Sequence, residues 1–302
     1  MHSIQAWRRW AGMVVVSCAL TAGCGGGDDD DIAVSQVSYT SLSAAAPLQV
    51  PAELRLPPGD QLPAVVVVHG SPGIDRRGRL PMRRLNAATH TPGRFHIPPP
   101  NPAGIATLEI DMWTPRGVSG GANRPQGVPE TLPDAYGALQ FLAQHPRIDP
   151  QRIGIMGFSW GGVATMLTAT KPYTDLYMGS TLQFKAHAPL YPVCWVYNQV
   201  PGYEFAAFSG APVFLQGGEL DTYDLPDTCP NLEQAVDATA PGVLDVTMYP
   251  NATHAFDRNE PEITVNDPIA HLGAGGEVVF RYNAEAAAQA RAAVVAFFAR
   301  TL

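Results

Sequence analysis

The sequence predicts an α/β domain built on a mostly parallel central sheet with helices on both faces, and three observations predict it. First, from Pro63 onward short strand-like runs alternate with stretches of helical spacing, the order that yields parallel strands joined by crossover helices. Second, Ala64-Val65-Val66-Val67-Val68 is apolar at every position rather than at every second one, as expected for a strand covered on both faces. Third, 302 residues, 46% hydrophobic and 15% charged, suffice for one large core and are too apolar for a chain disordered throughout.

The elements follow in order. Beyond the valine run, strands are expected at Ile105–Ile110, Arg152–Met156, Phe184–Leu190, Pro212–Gln216 and Leu244–Tyr249. Helical spacing marks Leu132–Gln144 through Tyr136, Leu139 and Leu142, a second helix is expected over Gly162–Thr170, and Ala284–Leu302 is an alanine-rich C-terminal helix. Two stretches break the alternation. Asp75–Ala103, with two arginine pairs and Pro98-Pro99-Pro100, reads as a long loop or short helical insertion, and 255–276 as a second irregular excursion. Both are placed to border a pocket.

The N-terminus reads as an export signal over residues 1–23. Arg8 and Arg9 form its positive end, Met13–Leu20 its apolar stretch, too short to span a bilayer as a helix, and Thr21-Ala22-Gly23 lead to Cys24. This resembles a bacterial lipoprotein signal, with the departure that Leu20 stands four rather than three positions before Cys24. The resemblance implies lipidation of Cys24 and an outer-membrane anchor; otherwise the chain is periplasmic or secreted. Residues 24–46, rich in Gly, Asp, Ser and Ala, are expected to be a flexible tether, and 47–302 the catalytic domain.

Loss of the signal shifts the formal charge from −8 to −10. That acidic balance argues against a nucleic-acid surface, which needs basic residues to displace counterions. Cys18 leaves with the signal and Cys24 takes lipid, so Cys194 and Cys229 remain as a pair in an oxidising compartment. A disulfide between them is expected, the alternative being two free buried thiols. Histidines 90, 96, 187 and 271 show no tight metal-ligand spacing, so no metal and no cofactor is expected.

The chemistry is carried by Gly157-Phe158-Ser159-Trp160-Gly161. A serine hydroxyl is a poor nucleophile until a base removes its proton, and it must project from the backbone to meet a substrate. A Gly-x-Ser-x-Gly turn between a strand and a helix projects it, which makes Ser159 the candidate nucleophile of an α/β-hydrolase. That fold orders its triad serine, acid, histidine along the chain. His254 follows the last clear strand and is the candidate base, while His271 follows no strand. Asp221, after a strand and a Gly217-Gly218 turn, is the candidate acid, with Asp224, Glu219 and Asp227 as competitors. The backbone N–H of Trp160 and of Ser71, in His69-Gly70-Ser71-Pro72-Gly73, are candidate oxyanion donors, Pro72 having none to offer. His69 precedes Ser159 and reads as structural.

With these residues placed, the chain resembles the dienelactone hydrolase family over about residues 50–302. The resemblance rests on Val66 to Gly73, Asp111-Met112-Trp113-Thr114-Pro115-Arg116-Gly117-Val118, Arg152 to Gly162, Gly217 to Asp221 and Tyr249 to Phe256. It implies Ser159, Asp221 and His254 as the triad and Ser71 and Trp160 at the oxyanion positions. Arg116 either lines the pocket, where it could bind a substrate carboxylate, or forms a structural ion pair. Trp113 and Trp195 are expected at the pocket. The enzymes that named the family carry cysteine where this chain has Ser159, which moves the expected substrate toward simple carboxylic esters or lactones.

Trp195, Tyr197, Tyr203, Phe205 and Phe208 cluster between two strands as acyl pocket, cap or plain core. Two other readings compete with an esterase. One is a peptidase or acyltransferase with the same triad, although peptidases of this fold commonly carry a further domain for which about 280 mature residues leave little room. The other is a non-catalytic surface lipoprotein that retains the fold for binding.

Overall fold

The computed structural model of the protein describes residues 32–74, 104–179 and 181–302. The signal, Cys24 and the expected loop at 75–103 lie outside the described residues. Among those described, eight strands form one sheet in the order β1-β2-β4-β3-β5-β6-β7-β8. They are β1 (Ala33–Thr40), β2 (Gln49–Leu56), β3 (Leu62–Val68), β4 (Ala106–Ile110), β5 (Ile148–Phe158), β6 (His187–Leu190), β7 (Val213–Gly218) and β8 (Leu244–Tyr249). From β4 to β8 every pairing is parallel, while β1 and β2 extend one edge in antiparallel fashion.

The valine run explains itself once the faces are assigned. Ala64, Val66 and Val68 pack into one cluster with Leu132, Tyr136 and Leu139, whereas Val65 and Val67 pack into another with Ala287, Val294 and Phe298. Successive strand side chains point to opposite faces, so apolar layers on both sides demand apolar residues at every position. Helices α1 (Leu132–Ala143), α2 (Trp160–Leu167) and α4 (Thr228–Asp237) contribute to the first layer, and α3 (Lys171–Met178) borders it. The C-terminal α5 (Ala284–Thr301) covers the second with a stripe of Ala286, Ala290, Val294 and Phe298, and the Asn283 side chain caps its start by accepting from the Ala286 N–H at 3.1 Å.

Two expectations change. Residues 33–40 are not tether: β1 pairs with β2 from Ala33↔Leu56 to Thr40↔Gln49, and the Tyr39 hydroxyl donates to the Asp134 carbonyl at 3.0 Å. This edge strand is exposed along most of its length, so its serines and glutamine read as linker. The excursion at 255–276 likewise contains β9 (Ile263–Asp267), which forms an antiparallel hairpin with β10 (Gly276–Phe280). The loop between them includes one helical turn, Ala270–Gly273, in which His271 and Leu272 have positive φ. Its strands are separated by residues 268–275 with no short turn signal, hence the irregular reading.

Candidate active site

The residues singled out for chemistry gather where the parallel strands end. Ser71 follows β3, Ser159 follows β5, Asp221 follows β7 and His254 follows β8, so all leave the sheet at its carboxyl edge, where open α/β sheets place their sites. Ser159 adopts φ 50° and ψ −111°, a conformation costing about 1–3 kcal/mol that the flanking packing must sustain. The glycines on either side permit it. A Cβ on Gly157 would lie 2.2 Å from the Gly161 carbonyl oxygen, and one on Gly161 equally close to that of Val68.

The three candidate residues are brought into one line. His254 Nδ1 lies 2.6 Å from Asp221 Oδ2 and Nε2 lies 2.8 Å from Ser159 Oγ. A carboxylate only accepts, so Nδ1 carries the proton and the Nε2 lone pair faces the serine hydroxyl. The Tyr223 N–H donates to the other oxygen, Asp221 Oδ1, at 3.0 Å. Acid and base loops are tied to each other through Leu220 N–H and the Ala252 carbonyl at 2.8 Å. Around the imidazole stand Tyr191, Tyr223 and Phe280, at centroid distances of 5.0, 4.5 and 5.3 Å, leaving His254 1% exposed.

The competing residues have other tasks. Asp224 accepts the backbone N–H groups of Cys194 and Trp195 at 2.7 and 2.8 Å, while burial pushes its carboxyl up to about 7, with the Asp221 charge adding to the rise. Glu219 and Asp227 are exposed, and His271 meets the Glu277 carbonyl on the surface. Cys194 and Cys229 are joined in a disulfide, as expected, which binds the segment carrying Trp195 to α4. His69 is structural, as its position implies: Nδ1 donates to the Gly70 carbonyl at 2.8 Å and Nε2 accepts from the Met112 N–H at 3.0 Å. Burial lowers its pKa to about 4, so it stays neutral.

Around Ser159 lies a pocket of about 1060 Å³ lined by Ser71, Trp160, Trp195, Tyr203, residues of the β9–β10 hairpin and the loop through Arg124. Its lining is mainly apolar. Of the aromatic cluster, Trp195 and Tyr203 face the pocket, whereas Tyr197, Phe205 and Phe208 pack on one another at 5.2 and 4.8 Å as core. Two expectations are corrected. Arg116 does not line the pocket: it pairs with the fully buried Asp134 at 2.5 Å and donates to the carbonyls of Met112 and Glu130. Burial raises the Asp134 carboxyl more than this guanidinium lowers it. Trp113 stands behind the wall, its Nε1 donating to the Ser71 carbonyl at 3.0 Å and its ring meeting Trp160 edge-on at 5.6 Å.

Sequence reasoning missed the polar pocket residues Arg124, Tyr191, Tyr223 and Asp267. Arg124 and Asp267 lie 143 residues apart, and no local pattern relates them.

A family model for the dienelactone hydrolase family matches residues 120–302, more than half of the chain and including Ser159, Asp221 and His254. The chain belongs to the dienelactone hydrolase family. Its architecture is the α/β-hydrolase fold, shared with solved structures of low sequence identity. A candidate dienelactone hydrolase of Klebsiella pneumoniae has TM-score 0.61 and 20% identity, over 89% of this chain and 99% of that one. A dienelactone hydrolase-like promiscuous phosphotriesterase from metagenomic libraries has 0.59 and 17%, over 90% and 99%. An esterase of Pyrobaculum calidifontis has 0.54 and 19%, over 87% and 85%. Among curated proteins, an uncharacterized peptidase of Bacillus subtilis, YtmA, is 44% identical over 54 residues, 18% of this chain and about a fifth (21%) of that protein's length. The family is one of hydrolases.

Proposed function

We propose that the protein cleaves carboxylic esters through an acyl-enzyme, with Ser159 as nucleophile, His254 as general base and then acid, and Asp221 holding the imidazole. The observation that carries this reading is the continuous line Asp221···His254···Ser159 at 2.6 and 2.8 Å, opening on a mainly apolar pocket. Ser159 Oγ attacks the ester carbonyl carbon while Nε2 takes the hydroxyl proton. The carbonyl oxygen becomes an oxyanion, which the N–H groups of Trp160 and Ser71 are assigned to receive. Trp160 is the first residue of α2, where backbone N–H groups have no partner within the helix. The Gly70 carbonyl accepts from Gly73 and His69, which turns the N–H of the same peptide, that of Ser71, the opposite way.

Collapse of the tetrahedral species breaks the ester C–O bond, and His254 returns its proton to the leaving alkoxide. Water, deprotonated by His254, then attacks the acyl carbon and frees the acid and Ser159. The test is turnover of short p-nitrophenyl esters beside Ser159→Ala, with a fluorophosphonate probe for covalent labelling. Loss of both turnover and labelling in the variant is expected; equal values in the two proteins would sink the reading. The peptidase match favours one further arm, p-nitroanilides of amino acids, whose preferential cleavage would make the protein a peptidase. Export with lipidation of Cys24 is proposed from the sequence alone. Radiolabelled palmitate entering the wild type but not Cys24→Ala would support it, and equal labelling would refute it.

A further inference from the structure

Among the described residues, two guanidinium groups border the pocket, those of Arg124 and Arg258. A guanidinium beside a substrate ordinarily recruits an anion through charge-assisted hydrogen bonds. Here each already has its carboxylate. Arg258 pairs with Glu260 beside it, and Arg124 Nη2 donates to both oxygens of Asp267, at 3.1 and 2.9 Å. The second pair is built into the wall. Asp267 Oδ1 also accepts the Ile269 N–H at 2.9 Å, Oδ2 accepts the Tyr223 hydroxyl at 3.0 Å, and the Arg124 guanidinium lies over the Trp160 ring at 5.6 Å. Their side chains are 16% and 10% exposed.

We propose that Asp267 is a specificity-determining residue: by occupying Arg124 it cancels the charge that this guanidinium would present to the pocket. Esters with an uncharged, apolar acyl group are therefore taken, and those whose acyl group ends in a carboxylate are turned away. The inference rests on the reading of Ser159 as an ester-cleaving nucleophile. An incoming carboxylate would lose its hydration among Val163, Trp195, Val265 and Phe280, and would meet at Arg124 a carboxylate already held by three partners. The filter arrives from a distance, since Asp267 ends strand β9 of the hairpin while Arg124 precedes α1.

The test compares kcat/KM for p-nitrophenyl hexanoate with that for mono-p-nitrophenyl adipate, an acyl chain of equal length bearing a terminal carboxylate. The wild type is expected to favour hexanoate by about tenfold or more, the scale of a hydrogen bond to a charged group. Asp267→Asn leaves Arg124 uncompensated and shifts the ratio toward adipate by about tenfold; Arg124→Met leaves Asp267 uncompensated and shifts it further toward hexanoate. The ratio is independent of how much of each variant folds. A wild type without preference, or variants that leave the ratio unchanged or move it in one common direction, would overturn the filter. If Asp267→Asn does not fold, the sign of the Arg124→Met shift decides. Hexanoate turnover by Ser159→Ala equal to the wild type's would instead remove the underlying reading.

Discussion

Arg116–Asp134 and Arg124–Asp267 are the same chemical pair in two settings. Arg116 reaches a carboxylate 18 residues away that is fully buried, and spends its remaining donors on two backbone carbonyls. Arg124 reaches a carboxylate 143 residues away, at the wall of the pocket beside Trp160. The first ties the segment after β4 to the start of α1; the second joins the hairpin to the pocket rim. What an ion pair does is thus set by what it faces: buried in the framework it holds backbone, and against a cavity it sets the charge a ligand meets.

The comparison extends to a third buried carboxylate, Asp221, whose partner is an imidazole. There the largest effect is expected: Asp221→Asn should lower kcat by about 10⁴-fold, because an amide can present its N–H to Nδ1 and favour the wrong tautomer. Folding should be unaffected, as circular dichroism and ester kinetics together would show.

Next, Arg116→Met should cost about 3–5 kcal/mol of stability by stranding Asp134, whereas Arg124→Met should cost less and act mainly on substrate choice. Denaturant unfolding of the two variants compares them directly, and equal losses would break the distinction. Because burial raises the Asp134 carboxyl despite its partner, Asp134→Asn should cost less than Arg116→Met.

Third, removing the disulfide with Cys194→Ala and Cys229→Ala should cost about 3–4 kcal/mol by chain entropy. The wall segment bearing Trp195 should loosen with it, seen as a larger rise in KM than fall in kcat.

Two buried histidines should make stability fall in acid. His69 and His187 are buried with pKa values lowered from 6.5 to about 4, so between those values the unfolded chain binds protons that the native state refuses. Stability is therefore expected to be complete above pH 6.5 and to fall toward pH 4. Urea midpoints that stay flat over this window would contradict it. The smallest effect is expected at Trp195→Ala, an increase in KM of about tenfold for bulky apolar esters with kcat nearly unchanged.

Much of this molecule was legible in one dimension. The valine run of β3, the Gly-x-Ser-x-Gly turn and the strand ends before Asp221 and His254 are local patterns with local causes. Each therefore appears in a short window. The assignment of Trp113 to the pocket failed, and the two readings of Arg116 stayed open until its ion pair was seen, for a related reason: a segment can mark a family without telling which of its side chains faces the cavity. Arg116 turned to Asp134 and Trp113 to the Ser71 carbonyl, where each supports the site from behind.

By itself, the sequence determined the class of sheet, the chain order of the candidate residues Ser159, Asp221 and His254, and the disulfide partners, since periodicity, turn chemistry and the short supply of cysteines restrict these to few choices. Tertiary structure alone decided that β1 joins the sheet, that 263–280 folds as a hairpin and that Asp267 meets Arg124. Those outcomes depend on contacts between distant segments, whose energies belong to no single stretch of chain.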